Sequence, residues 1–230
     1  MAKNSLLMLA LAAFVAGGVF AIEVPEFRLS FGGGLEFDGG ALGRNETGPN
    51  RATRHGIETY GFGAWLFADA TFAELSVAFR GGPAVTWSEW PVTTGGGWGV
   101  AQTTIHGERE SGSFTALDIS LVGKFPFSLG GGNISLFPLL GFGYNVVLSA
   151  GDDNGSFYDQ TGYSPASKLS AFRIHWGIGG DFDLSGNLFL RASILGNYRF
   201  APDFFTDLAE THFYHGGIGG TVRIGIGIRL

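Results

Sequence analysis

Polarity along this chain alternates with a period of two in several separated segments. In residues 26–38, Phe27, Leu29, Phe31, Leu35 and Phe37 share one parity, while Arg28, Ser30, Glu36 and Asp38 share the other. Successive side chains of a strand point to opposite faces, so this spacing predicts a strand with one apolar and one polar face. Residues 114–125, 188–200 and 216–230 repeat the pattern. Less regular strands fit residues 57–68, 71–81, 133–148 and 169–184, which brings the expected number to eight.

The connections between these segments constrain the fold further. Residues 68–70, 127–132 and 185–187 are short, turn-like links; residues 39–56, 82–112, 149–168 and 201–215 are long. Long and short links alternate strictly, so an up-and-down sheet collects every long loop at one end. Expected strands of about 11 to 15 residues exceed the usual 5 to 6 of a soluble sandwich and suit a tilted strand crossing a bilayer.

Alternation alone does not say which face points inward, because a soluble lipocalin-type barrel has the same period with the apolar face inside. Composition favours the inverted arrangement. Charged residues make up 15% of the chain, against roughly 25% for a soluble domain. Lys occurs only at Lys3, Lys124 and Lys168. The polar parity is rich in Gly, Ser and Arg, which suits an enclosed interior where guanidinium groups pair with carboxylates. The expected fold class is therefore an all-β, eight-stranded antiparallel up-and-down transmembrane β-barrel. The lipid bilayer is its expected partner.

Residues 1–21 read as a cleaved secretory signal peptide: Lys3 supplies the positive start, residues 6–15 the apolar run, and Val19 and Ala21 the small cleavage-site side chains. Residues 22–230 then form a single barrel domain. The whole mature chain resembles the small eight-stranded outer-membrane barrels of the OmpW, OmpX and OmpA-transmembrane type. The leader, the order of long and short links and the closing segment Thr221-Val222-Arg223-Ile224-Gly225-Ile226-Gly227-Ile228-Arg229-Leu230 carry that resemblance. The closing segment looks like the signal that the outer-membrane assembly machinery reads. The family usually ends in Phe or Trp, so Leu230 departs from it and points to a distant lineage, such as a spirochaetal one. The resemblance implies a bacterial outer-membrane location and one of two roles. The first is a passive conduit for small, including hydrophobic, solutes. The second is a surface barrel with a plugged lumen that meets a host ligand through its loops.

Parity assigns Arg28, Glu36, Asp38, Glu74, Arg80, Asp118, Lys124, Arg173, His175, Asp181, Arg191, Arg199, Arg223 and Arg229 to the interior. An eight-stranded barrel is just wide enough for side chains to fill, so these groups form either a salt-bridged plug or a narrow polar pathway. Cations outnumber carboxylates in this assignment, so a pore would favour anions. If Arg28, Glu74, Arg191 and Arg229 close on one another at the short-turn end, the barrel is plugged. Trp87, Trp90, Trp98, Phe157, Tyr158, Phe204 and Phe205 are assigned to the long loops. They read either as an interfacial aromatic belt or as a capture surface for an apolar solute.

Other functions find little support. A net charge of -6 argues against nucleic acid as a partner, since phosphate binding needs a basic face. The absence of Cys removes thiolate metal sites and thiol catalysis. His212 and His215, spaced i, i+3 beside Asp207 and Glu210, have metal-ligand chemistry, but without Cys or an HExxH arrangement chance spacing is the favoured reading, and no GxSxG elbow is present. No cofactor, metal or enzymatic activity is expected.

Overall fold

A computed structural model describes residues 26–48, 51–94, 102–129, 133–152, 155–156, 170–200 and 215–230. The expected leader lies outside these residues. The strands are β1 (Leu29–Gly48), β2 (Arg51–Ala70), β3 (Ala73–Thr94), β4 (Gln102–Lys124), β5 (Phe127–Leu129), β6 (Ile134–Asp152), β7 (Gly155–Ser156), β8 (Ala171–Ser185), β9 (Leu188–Phe200) and β10 (His215–Arg229). Each long strand pairs antiparallel with its neighbour in the chain, and β1 pairs with β10, from Ser30↔Arg229 to Arg44↔His215. β4 pairs directly with β6, while β5 and β7 are short pieces on β6. The eight long strands thus close into a ring, and closure removes the open edges that hydrocarbon cannot tolerate.

The orientation of the faces settles the class. Phe31, Leu35 and Phe37 on β1 and Val222, Ile224, Ile226 and Ile228 on β10 are all about half exposed on the outside. Glu36, Asp38, Thr221 and Arg223, one step away on the same strands, are buried inside. An apolar exterior around a charged interior is the inverse of a soluble barrel and marks a transmembrane one.

Two connections expected as long loops are largely strand. β1 and β2 stay paired through 39–56, up to Gly48↔Arg51, and β3 and β4 stay paired through most of 82–112, up to Thr94↔Gln102. Strands of 20 to 23 residues are about twice what a bilayer crossing needs, so these hairpins continue past the apolar band. Pro83 interrupts one ladder: β2–β3 pairing lapses between Gly81 and Ala84, because proline has no N–H to donate.

The opposite end turns tightly. Thr71 in the β2–β3 turn is the one non-glycine residue with positive φ (56°) among the described residues, and Gly186 turns β8 into β9 at φ 55°. The Thr71 hydroxyl accepts the Arg28 backbone N–H at 2.7 Å, which ties the start of the chain to this turn and helps hold a strained conformation.

Candidate functional site

The interior carries the chemistry, and interior glycines make room for it. A Cβ at Gly32 would overlap the Phe67 ring, one at Gly227 the Phe189 ring, and ones at Gly40 and Gly219 the Arg199 guanidinium. Bulky rings and guanidinium groups therefore cross the lumen by lying on bare backbone of other strands. Such close approach accounts for part of the glycine content, 40 of 230 residues.

Two tiers of ion pairs fill the lumen. In the tier nearer the long hairpins, Asp38 is the hub. It accepts from Arg173 Nη1 at 3.0 Å, Arg199 Nη2 at 2.8 Å and Thr221 Oγ1 at 2.8 Å, and Arg80 Nη1 lies 3.3 Å away. Arg80 donates to Glu36 at 2.9 Å and to Asp118 at 3.4 Å, and Arg223 Nε donates to Glu36 at 2.6 Å. His175 is buried here, its ring over Gly143 beside Ser120. Among the described residues, Arg80 Nε, Arg173 Nε, Asp118 Oδ1 and both His175 nitrogens have no hydrogen-bond partner, so this tier is polar enough to hold internal water.

In the tier at the short-turn end, Arg191 is the hub. Its Nε and Nη2 grip Asp181 at 2.7 Å each, Nη1 donates to Glu74 at 2.7 Å and Nη2 to Asp69 at 2.6 Å. Its guanidinium sits over Phe67 at 4.4 Å and over Phe189 at 5.0 Å, within cation–π range. Lys124 pairs with Asp69 and stands 4.6 Å over the Phe137 ring. Arg229 pairs with Asp183 and lies 3.7 Å from Asp181. Arg223 bridges the tiers: its Nη1 donates to Ser76 at 3.2 Å and lies 3.9 Å from Glu74.

Of the residues assigned to the lumen from sequence, the structure places Glu36, Asp38, Glu74, Arg80, Asp118, Lys124, Arg173, His175, Asp181, Arg191, Arg199 and Arg223 in the interior, with Arg229 partly exposed at its short-turn rim. Arg28 is corrected: it precedes β1, its side chain is 58% exposed, and it pairs with the exposed Glu26. Asp69 was missed because it lies in a segment that read as turn, and Asp183, inside an expected strand and on the parity of Asp181, was not assigned to the interior. With these changes the lumen holds as many carboxylates (Glu36, Asp38, Asp69, Glu74, Asp118, Asp181, Asp183) as cations (Arg80, Lys124, Arg173, Arg191, Arg199, Arg223, Arg229). The expected anion preference of a pore loses its basis.

The interior aromatics were missed as well. Trp65 is 1% exposed, stacks on Phe67 at 4.7 Å, and packs with Ala78 and Phe189. They share the parity of the charged residues, but only strand register separates them from the many aromatics facing lipid.

The loop aromatics fare differently. Trp87 belongs to β3, opposite Arg109, and a Cβ at Gly56 would overlap its ring. Trp90 also belongs to β3, opposite His106. Both are corrections to the loop assignment. Trp98, Phe157, Tyr158, Phe204 and Phe205 lie outside the described residues.

Above the Asp38 tier the lining changes character. Leu42, Ile57, Ala84, Phe114 and Ala116 form a buried apolar cluster against Val147 and Ala150. A narrow cleft of about 20 Å³, room for one water molecule, is lined by Leu42, Ile57, Thr59, Phe114, Asn145, Val147, Ala150, Ala171 and Arg199. Beside it, the β4–β6 ladder slips register between Thr115 and Ala116 and begins only at Ser113↔Gly151, although β4 continues to Gln102. Thr115 and Ser149 hydroxyls hydrogen-bond across this seam at 2.6 Å. Sequence reading gave no sign of the cleft, because its walls come from six strands. Among the described residues no group of side chains suits a metal ion.

No family model matches this sequence, and no curated protein is similar to it. Among solved structures, the chain is similar to the outer membrane protein OprG from Pseudomonas aeruginosa (10% identity over 89% of this chain and 96% of that one, TM-score 0.43). It is also similar to Ail, the attachment invasion locus protein of Yersinia pestis, in complex with the heparin analogue sucrose octasulfate (13% identity over 90% and 100%, TM-score 0.40). A third likeness is to the translocator domain of the autotransporter NalP from Neisseria meningitidis (12% identity over 99% and 98%, TM-score 0.26). Likenesses this distant carry no functional argument, and the fold rests on this chain's own strand pairing.

Proposed function

We propose that this chain is an exported bacterial outer-membrane barrel that admits small hydrophobic solutes through its cleft without forming an aqueous pore. In this reading residues 1–21 direct export, the outer-membrane assembly machinery recognises the closing strand β10, and the long hairpins face outward. The barrel performs no catalysis. The observation that carries the reading is an apolar cleft stacked on a lumen crossed by ion pairs. A solute entering from the long-hairpin end must widen this narrow cleft, and the Asp38 and Arg191 tiers bar its way along the axis. Its way out is sideways into the bilayer, through the β4–β6 seam, where the bulge at Thr115 and Ala116 interrupts the ladder.

The test is naphthalene uptake by proteoliposomes whose outer leaflet is lipopolysaccharide, which slows apolar solutes. The chain should speed uptake severalfold over empty vesicles, and Phe114→Lys, which puts a charge into the cleft wall, should abolish the gain. Uptake equal to that of empty vesicles would refute the proposal.

The second reading, a plugged barrel acting as a surface adhesin, draws support from the length of β1 to β4, which carries four paired strands past the apolar band. Its test is binding of the full chain to host cells. Loss of binding when residues 86–110 are replaced by a short turn, with uptake intact, would favour it.

A further inference from the structure

Among the described residues, the Asp38 tier contains one buried titratable group that no ion pair engages. His175 is 1% exposed, and neither ring nitrogen has a hydrogen-bond partner. We propose that His175 and Asp118 form an acid-operated lock: on protonation the imidazolium donates to Asp118 Oδ1 and ties β4 to β8 across β6. This inference does not depend on what enters the cleft.

Three observations support it. The first is an open acceptor. Glu36 and Asp38 each use both carboxylate oxygens, in hydrogen bonds of 2.6 to 3.0 Å. Among the described residues, Asp118 Oδ1 is the one carboxylate oxygen of this tier without a partner. Asp118 Oδ2 is held only at 3.4 Å by Arg80 and 3.6 Å by Arg173. An imidazolium has two N–H donors, and burying it without an acceptor is costly. Other polar groups in the tier are taken: Asn197 Oδ1 accepts from Arg199 Nε at 3.1 Å, and the Ser76 and Ser120 hydroxyls bond each other at 2.8 Å.

The second is placement. The His175 ring lies over Gly143, where a Cβ would stand 2.9 Å from Nε2. Gly143 pairs with Ser120, and Asp118, next on that face of β4, pairs with Asn145. At Gly143, β6 thus sets no side chain to keep the ring from β4.

The third is charge. Asp118 is the charge that acts most strongly on His175, ahead of Arg173, Arg223 and Asp38. By element, the charged groups around it are Glu36 and Asp38 on β1, Arg80 on β3, Asp118 on β4, Arg173 on β8, Arg199 on β9 and Arg223 on β10. β6 contributes the neutral Gly141, Gly143 and Asn145. Histidine is the side chain whose charge changes in mild acid, so a proton supplies the donor that Asp118 Oδ1 lacks. Arg80 keeps Glu36 and Arg173 keeps Asp38 when Asp118 turns to the imidazolium, so the exchange strands no guanidinium. Asp118 stands two residues beyond the register slip between Thr115 and Ala116, and the lock braces this part of the wall in acid.

The experiment is a double-variant cycle of His175→Gln and Asp118→Asn in the full chain, read by urea unfolding in phospholipid vesicles at about pH 8 and about pH 4. The contact exists only while His175 is protonated and Asp118 ionised, so the coupling is present in acid and lost as pH rises. It should be near zero at the higher pH and about 1 M in urea midpoint at the lower, the scale of one charge-assisted hydrogen bond. Equal coupling at both pH values, or coupling only at the higher, would overturn the lock. Should Asp118→Asn fail to fold, NMR of isotope-labelled histidine in the unaltered chain decides, with His175→Gln identifying the signal. His175 should show a single ring N–H in the neutral sample and two in acid, one of them shifted downfield by its carboxylate acceptor. An unchanged pattern, or two signals without that shift, would overturn the lock.

Discussion

Arg191 is the most heavily used side chain at the short-turn end, and its removal has a calculable effect. Arg191→Ala takes four hydrogen bonds from three buried carboxylates. Asp69 keeps Lys124, but Glu74 is left with Arg223 at 3.9 Å and Asp181 with Arg229 at 3.7 Å. Stranding buried charges in this way costs about 3–5 kcal/mol. Glu74→Ala removes one acceptor and leaves Arg191 its two-pronged grip on Asp181, so it should cost about 1.5–3 kcal/mol. With a urea slope of about 2 kcal/mol per molar, the midpoints should fall by roughly 2 M and 1 M. The assay is urea unfolding of the barrel refolded into phospholipid vesicles, followed by the mobility difference between unheated and boiled samples on a gel. Because the two residues contact each other, the double variant should lose less than the sum of the singles, by more than about 0.5 kcal/mol. Strict additivity, or a Glu74→Ala cost equal to that of Arg191→Ala, would refute the hub.

Ile194, 61% exposed on β9, faces lipid in this account; Ile194→Arg should cost about 2–4 kcal/mol in vesicles, whereas a water-facing position would show almost none by the same unfolding assay. Gly32→Leu should prevent folding into the heat-modifiable form, because its Cβ would overlap both the Phe67 ring and the backbone of β10; normal folding would show that the ring does not cross there. Thr71→Val should lower stability by about 1 kcal/mol through loss of the hydroxyl that accepts the Arg28 N–H, with protease cleavage before β1 as the readout.

The sequence was most legible where one face of a strand is plainly polar. β9 occupies residues 188–200 as its alternation predicts, and β10 differs by one residue at each end. Such strands announce themselves because lipid demands apolar side chains on one parity and the ion-paired lumen demands polar ones on the other. β2 was harder to read: Trp65 and Phe67 point inward while Phe62 and Leu66 point outward, so both parities look apolar. Glycines on the polar parity mark room for a large neighbour without saying which one. Arg199 lies on Gly40 and Gly219, but phenylalanine rings lie on Gly32 and Gly227. Which side chain fills the gap depends on register across strands distant in sequence. The same holds for the Asp38 hub, whose partner Arg199 is 161 residues away.

The central claim is an inverted barrel whose lumen is closed by its own charges. Single-channel recording of the refolded chain in a planar bilayer tests it most directly, with the gel mobility difference as proof of folding. The folded barrel should be electrically silent, and Arg191→Ala should introduce brief conducting events as the short-turn end loosens. Long-lived, discrete current steps from the unaltered folded chain would contradict the closed lumen.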